Sequence, residues 1–99
     1  MLVTISIQET PSGEFVATAP DFQECTLTDP DADSAFARIR LAVEAALTDV
    51  MISGSPVPAV RTLAGWQKEP AFRNARLYEM HMNIRHLDAV ARHQKGWPG

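Results

Sequence analysis

The sequence predicts an α+β fold: a three- to four-stranded, mainly antiparallel sheet with one long helix packed on one face, in the order β-β-β-α and then β-α. Three observations carry this. Residues 31–52 place Phe36, Ile39, Val43, Ala46, Leu47 and Val50 three or four apart, the spacing of one helical face. Residues 2–8 alternate, with Val3, Ile5 and Ile7 on one side and Thr4, Ser6 and Gln8 on the other, the pattern of a half-buried strand. Residues 76–84 alternate again, with Tyr78, Met80, Met82 and Ile84 separated by Leu77, Glu79, His81 and Asn83. An amphipathic helix is not stable alone, so it must cover the apolar face of these strands.

The elements follow in order. After the first strand, Thr10-Pro11-Ser12-Gly13 is turn chemistry, since proline presets its own φ and glycine accepts a positive one. Residues 14–19 continue as a second strand with Phe15, Ala17 and Ala19 on one face, making a hairpin. Pro20 and Asp21 break it, and residues 24–28 read as a short third strand with Cys25 and Leu27 inward. Asp31 is the expected helix N-cap, because its carboxylate can accept from unpaired first-turn amides, and Asp33 suits the positive end of the helix dipole. Gly54 ends the helix, and Pro56 and Pro58 keep it ended. In the connection, residues 59–68 suggest a short helix limited by Gly65 and Pro70, with Trp66 and Phe72 returning to the core or to a subunit interface. Beyond the last strand, residues 85–95 read as a second helix with Leu87, Val90 and Ala91 on one side. The chain is thus one domain over residues 1–99: a β-β-β-α core over 1–58, a connection over 59–75, and a strand plus helix over 76–99.

Composition narrows the function classes. A hydrophobic content of 45% is that of a folded globular chain, and no apolar run approaches the about 20 residues of a membrane span. Without a signal pattern, and with Cys25 unable to pair internally, a cytoplasmic protein is expected. The net charge of −3 hides a split: residues 1–60 hold two basic against nine acidic side chains, residues 61–99 seven basic against three acidic. Such faces are most simply solvated; an acidic first part also suits a basic partner, and the net negative charge argues against general nucleic-acid binding.

The run from residue 20 to residue 58 resembles the HicB-like antitoxin family. Pro20-Asp21, Cys25, the capping Asp31, Ala35, Arg40, Ala42 and Glu44, and the exit Gly54, Pro56 and Pro58 stand in the order and spacing of the family pattern. Phe15-Val16-Ala17 resembles its aromatic–Val–Ala strand, so the resemblance covers about residues 1–60. Glu24 and Asp29 stand where the family carries glycine, so a turn of different shape is expected. The resemblance implies a partial ribonuclease-H-like fold, a homo-oligomer, and a small basic, HicA-like, mRNA-cleaving toxin as partner. It also implies a C-terminal DNA-binding module in many members, of which residues 78–95 hold at most an opening strand and first helix; no self-contained DNA-binding module is expected.

No catalytic, metal or cofactor site is expected. A ribonuclease-H site needs carboxylates converging on metal ions, but Glu9 and Glu14 lie near a turn, and Asp21, Glu24, Asp29, Asp31 and Asp33 fall on loops or caps. His86 and His93 are seven residues apart, too far for a chelating i, i+4 pair, and His81 lies on the strand side away from Met80 and Met82. Cys25 has no spacing to a base and reads as a small buried side chain. No glycine-rich phosphate loop is present. The expected toxin contacts are Asp21, Phe22 and Glu24, an acidic, exposed connection beside an aromatic. The expected oligomer contacts are Tyr78, Met80, Met82 and Ile84, a stripe that packing under a helix explains equally well. The leading expectation is a non-catalytic antitoxin; the alternatives are a HicB-like self-association module without a toxin, and a residual nuclease.

Overall fold

The computed structural model describes residues 1–22, 25–83 and 87. Strands β1 (Leu2–Glu9), β2 (Phe15–Thr18), β3 (Thr26–Asp29) and β4 (Arg76–His81) form an antiparallel sheet in the order β3-β2-β1-β4. The 22-residue helix α1 (Ala32–Ser53) packs on one face. β2 and β3 are each shorter than expected, and β3 starts two residues later than the sequence suggests. The expected last strand ends at His81; Ile84 and the expected helix over 85–95 lie outside the described residues, except Leu87, which is buried and donates its N–H to the Asn83 carbonyl.

Local chemistry sets the boundaries. Asp31 is extended and accepts from the Ser34 N–H at 2.8 Å, and Gly54 ends α1 at φ 73° with its N–H turned back onto the Met51 and Val50 carbonyls. The β1–β2 turn closes through Thr10 N–H to the Glu14 carbonyl at 2.7 Å, with Gly13 at φ 86°. These glycines alone have positive φ among the described residues, so Asp29 meets no backbone strain where the family carries glycine. It ends β3 and ties it to α1: its carboxylate accepts from Asp31 N–H, Ser34 Oγ and Arg38 Nη1, each at 2.9 Å.

Those bonds, the Asp31 N–H first and then the Arg38 guanidinium, hold the Asp29 carboxyl below the usual carboxylate range, against a partial opposing effect of burial. A folded-state value below the unfolded one means that the stabilisation is complete above the ordinary carboxylate pKa and is lost as pH falls through the lowered value. Asp29→Asn cannot titrate. It is expected to lower stability at neutral pH and to flatten the loss of stability below about pH 4, which urea midpoints measured across pH will check.

The core lies between α1 and the sheet. Val3, Ile5 and Ile7 of β1 meet Ala35, Ile39, Val43 and Leu47 of α1, with Ala17, Ala19, Phe22, Cys25, Met80, Met82 and Leu87 completing the cluster. Two expectations are corrected here. Phe22 is buried, 4% exposed, because the turn it occupies folds inward through Phe22 N–H to the Ala19 carbonyl and Cys25 N–H to the Phe22 carbonyl. Met80 and Met82 are 2% and 1% exposed and belong to the chain's own core, so their side chains are not an open contact stripe.

The opposite face of the sheet is not a plain solvent face either. Thr4 and Ser6 alternate with the core residues of β1 yet are 1% and 3% exposed. The connection after Gly54 folds back over them: Val60, Arg61, Thr62 and Leu63 lie against Thr4, Glu79 and His81, and the short helix α2 (Leu63–Gln67) meets β1 and β4. A 3-10 turn (Pro70–Phe72) follows, and Trp66 and Phe72 meet edge to face with centroids 5.6 Å apart.

Candidate functional site

α1 packs chiefly on β3 and β2 and less on β1. Between its first turns and the adjoining ends of β1, β2 and β4 runs a groove of about 610 Å³. Ile7 and Phe15 floor it, Ala32 and Phe36 form the helix wall, and Tyr78, Arg76 and Asn74 form the wall from β4 and the residues before it. Phe36 and Tyr78 meet edge to face at 5.7 Å and 76°, the preferred geometry for an aromatic pair. Tyr78 is 39% exposed, and Phe15 and Phe36 are only partly covered. Glu9 and Asp33 stand exposed in the lining, with Arg76 as its one cation. The groove therefore offers apolar and aromatic walls with two carboxylates and one guanidinium in its lining. A surface that fits it carries an apolar or aromatic element and a cation directed at Glu9 and Asp33.

The residues expected to contact a toxin lie elsewhere. Residues 19–22 leave the far end of β2 and Cys25 leads into β3, at the opposite end of the sheet from the groove. Asp21 is engaged within the chain: one carboxylate oxygen accepts from the Arg61 N–H at 3.0 Å and the other from Trp66 Nε1 at 3.3 Å. Arg61 itself stacks 4.0 Å from the Trp66 ring centroid and pairs with Glu69 at 3.0 Å. Asp21 thereby holds the back-face connection to the β2–β3 turn. Glu24 lies outside the described residues. Of the expected oligomer contacts, Tyr78 is exposed, Met80 and Met82 are core, and Ile84 is outside the described residues.

Among the described residues no group of three or more His, Cys, Asp or Glu side chains is arranged to hold a metal ion. His81 is exposed on the back-face side of β4, while His86 and His93 are outside the described residues. Cys25 is buried, with its Sγ 3.7 Å from the Ala42 carbonyl. No helix among the described residues is long and apolar enough to cross a membrane.

The arrangement of strands and helix matches solved structures. The crystal structure of the N-terminal domain of Burkholderia pseudomallei antitoxin HicB aligns with a TM-score of 0.76 at 17% identity, over 84% of this chain and 99% of that one. The fold is HicB-like. The crystal structure of the Burkholderia pseudomallei antitoxin HicB aligns with a TM-score of 0.80 at 18% identity, over 90% of this chain and 68% of that one. No family model and no curated protein matches the sequence. At this level of identity the likeness establishes the HicB-like architecture, which the order Pro20, Cys25, Asp31, Gly54, Pro56, Pro58 pointed to.

The groove was not legible from the sequence. Its members come from β1, β2, α1 and the run before and into β4, and only the pairing of β4 beside β1 brings them together. The available signal was weak: Phe15, Phe36 and Tyr78 are the aromatics of three separate core elements.

Proposed function

We propose that this chain is a non-catalytic, HicB-like antitoxin that acts in the cytoplasm by binding and blocking a small basic, mRNA-cleaving toxin. The observation that carries this reading is the likeness of the whole sheet and α1 to the HicB antitoxin structures. The groove beside α1 is the toxin-facing surface in this reading. Glu9 and Asp33 draw a cationic side chain of the toxin, and Phe15, Phe36 and Tyr78 pack on its stem or on a neighbouring apolar residue. Seated there, the chain covers the toxin's catalytic surface and takes no part in the chemistry. The turn carrying Asp21, at the other end of the sheet, is the alternative contact.

The test is copurification with the full chain at native expression level. A small basic protein at fixed stoichiometry, whose RNA cleavage stops when this chain is added back, is the expected result. Cleavage that proceeds unchanged in the presence of excess chain defeats the antitoxin reading. Given such a partner, Glu9→Lys with Asp33→Lys is expected to weaken binding about tenfold, mostly through a slower, salt-sensitive association. Asp33 lies in the first turn of α1, where the helix dipole favours its charge, so a small fall in melting temperature is expected and the association rate is the deciding readout. Unchanged association rates would move the contact away from the groove. A self-association module without a toxin is the second reading, favoured by the exposed Tyr78 on β4, the outermost strand of the sheet.

A further inference from the structure

The geometry points to a small-ligand site between the back of the sheet and the connection that crosses it, one that takes a primary ammonium on a short aliphatic stem. This inference does not rest on the antitoxin reading, and the site is separate from the groove beside α1.

Its floor is the start of β1 laid against the end of β4. Met82 donates its N–H to the Met1 carbonyl at 2.8 Å, so the bonded pairs that follow along this ladder are Val3–Met80 and Ile5–Tyr78. Leu2–His81 and Thr4–Glu79 are then the non-bonded pairs, whose side chains stand closest. They share the back face, because Val3 and Met80 point into the core. Val60, Arg61, Thr62 and Leu63 pass over them and enclose a cavity of about 490 Å³. Small-ligand sites fall in the range of about 300–1,000 Å³.

The chemistry follows from which polar groups of the lining are already engaged. Thr62 Oγ1 accepts from the Gly65 N–H at 3.1 Å. The Arg61 guanidinium donates to the Gly65 carbonyl and to Glu69, each at 3.0 Å, and stacks on Trp66. The Met1 amine donates to the Met82 carbonyl at 3.2 Å. Thr4, Glu79 and His81 differ: among the described residues their side chains have no hydrogen-bond or ion-pair partner. Thr4 decides the matter. It is 1% exposed, and burying a hydroxyl without a partner is costly. No fully enclosed side-chain nitrogen or oxygen is unpartnered among the described residues, so the part of Thr4 that stays open is its hydroxyl, on the cavity.

A ligand that completes this arrangement donates hydrogen bonds and carries positive charge. An ammonium has three donors, enough for the Glu79 carboxylate, the Thr4 hydroxyl opposite it and the His81 imidazole beside it. Leu2, half-exposed at the mouth, and Val60 and Leu63 overhead cover an aliphatic stem. An anion meets Glu79 as a like charge, and a neutral alcohol leaves that carboxylate without a counter-charge. Because the occupant touches both layers, it ties the connection to the sheet.

Titration of the full chain with pentylammonium chloride at fixed ionic strength, followed by proton–nitrogen NMR, tests this. Saturable shifts at Leu2, Thr4, Glu79, His81 and residues 60–63 are expected, with slower amide exchange at Arg61. Glu79→Gln, at an exposed side chain, should raise the dissociation constant about tenfold, and Thr4→Val, which keeps the shape and removes the hydroxyl, about fivefold. Pentanol and pentanoate, with the same stem, should each bind about tenfold more weakly. Nα-acetyl-lysine methylamide presents the same ammonium from a peptide: binding as tight as that of pentylammonium assigns the site to a lysine side chain, and weaker binding assigns it to a free amine. Circular dichroism reports folding; if Thr4→Val does not fold, Glu79→Gln and the ligand series decide. Shifts that grow without saturating, pentanol binding as tight as that of pentylammonium, or saturable binding unchanged in Glu79→Gln overturns the inference.

Discussion

Leu47→Ala is expected to destabilise the chain by about 2–5 kcal/mol, the range for truncating a fully buried aliphatic side chain. Leu47 is 0% exposed, as are Ala35, Ile39 and Val43 at four-residue steps before it. That stripe faces the β-sheet, whose backbone cannot move in to fill the space because its ladder bonds fix the strand spacing. The lost transfer free energy therefore comes with most of a cavity penalty. In a domain whose total stability is of the order of 5–15 kcal/mol, this is a large share of the whole. Urea unfolding should show a lower midpoint with an unchanged slope. Leu41 supplies the internal control. It lies on the same helix but is 64% exposed, so Leu41→Ala should change stability by no more than about 0.5 kcal/mol. Equal losses at the two positions would contradict the orientation of α1.

The contrast between Leu47 and Leu41 also marks what a sequence can reveal. The cap at Asp31, the left-handed stop at Gly54 and the inward stripe of α1 depend on neighbours within a turn or two, and all were legible. So was the hairpin, because alternation in β1 and the 10–13 turn are both local. Periodicity states which residues share a face and not what covers that face. Tyr78, Met80 and Met82 share one, but the methionines sit in the chain's own core while Tyr78 lies at its open margin. Thr4 and Ser6 read as solvent-facing and are buried, because the chain beyond Gly54 returns across forty or more residues of sequence to cover them. Phe22 read as exposed because it sits in a turn beside Asp21; the turn directs it inward. A local turn accounts for Phe22, and distant returns of the chain account for the others; the groove is assembled by the same kind of return.

The return over the back face hangs on Asp21, and its removal is the second large effect expected. Asp21→Ala leaves the Arg61 N–H and Trp66 Nε1 without their acceptor. Bonds to a charged group are worth more than neutral ones, so a loss of about 1–3 kcal/mol is expected. The effect should be local before it is global. Amide exchange should accelerate at Arg61 and at Thr4 and Ser6 beneath the connection, and the Trp66 indole N–H resonance should shift toward its solvent-exposed position. Asp21→Asn keeps an oxygen acceptor and removes the charge, and so separates two roles for this residue. If Asp21 only holds the connection, the asparagine variant should retain most of the stability, and any fall in affinity for a basic toxin should track the stability that is lost. If its charge also meets the toxin, affinity should fall well beyond that while exchange at Thr4 and Ser6 stays slow. An asparagine variant that binds as tightly as the parent would leave Asp21 a purely structural residue and direct the search for the toxin contact to Glu9, Asp33 and the groove between them.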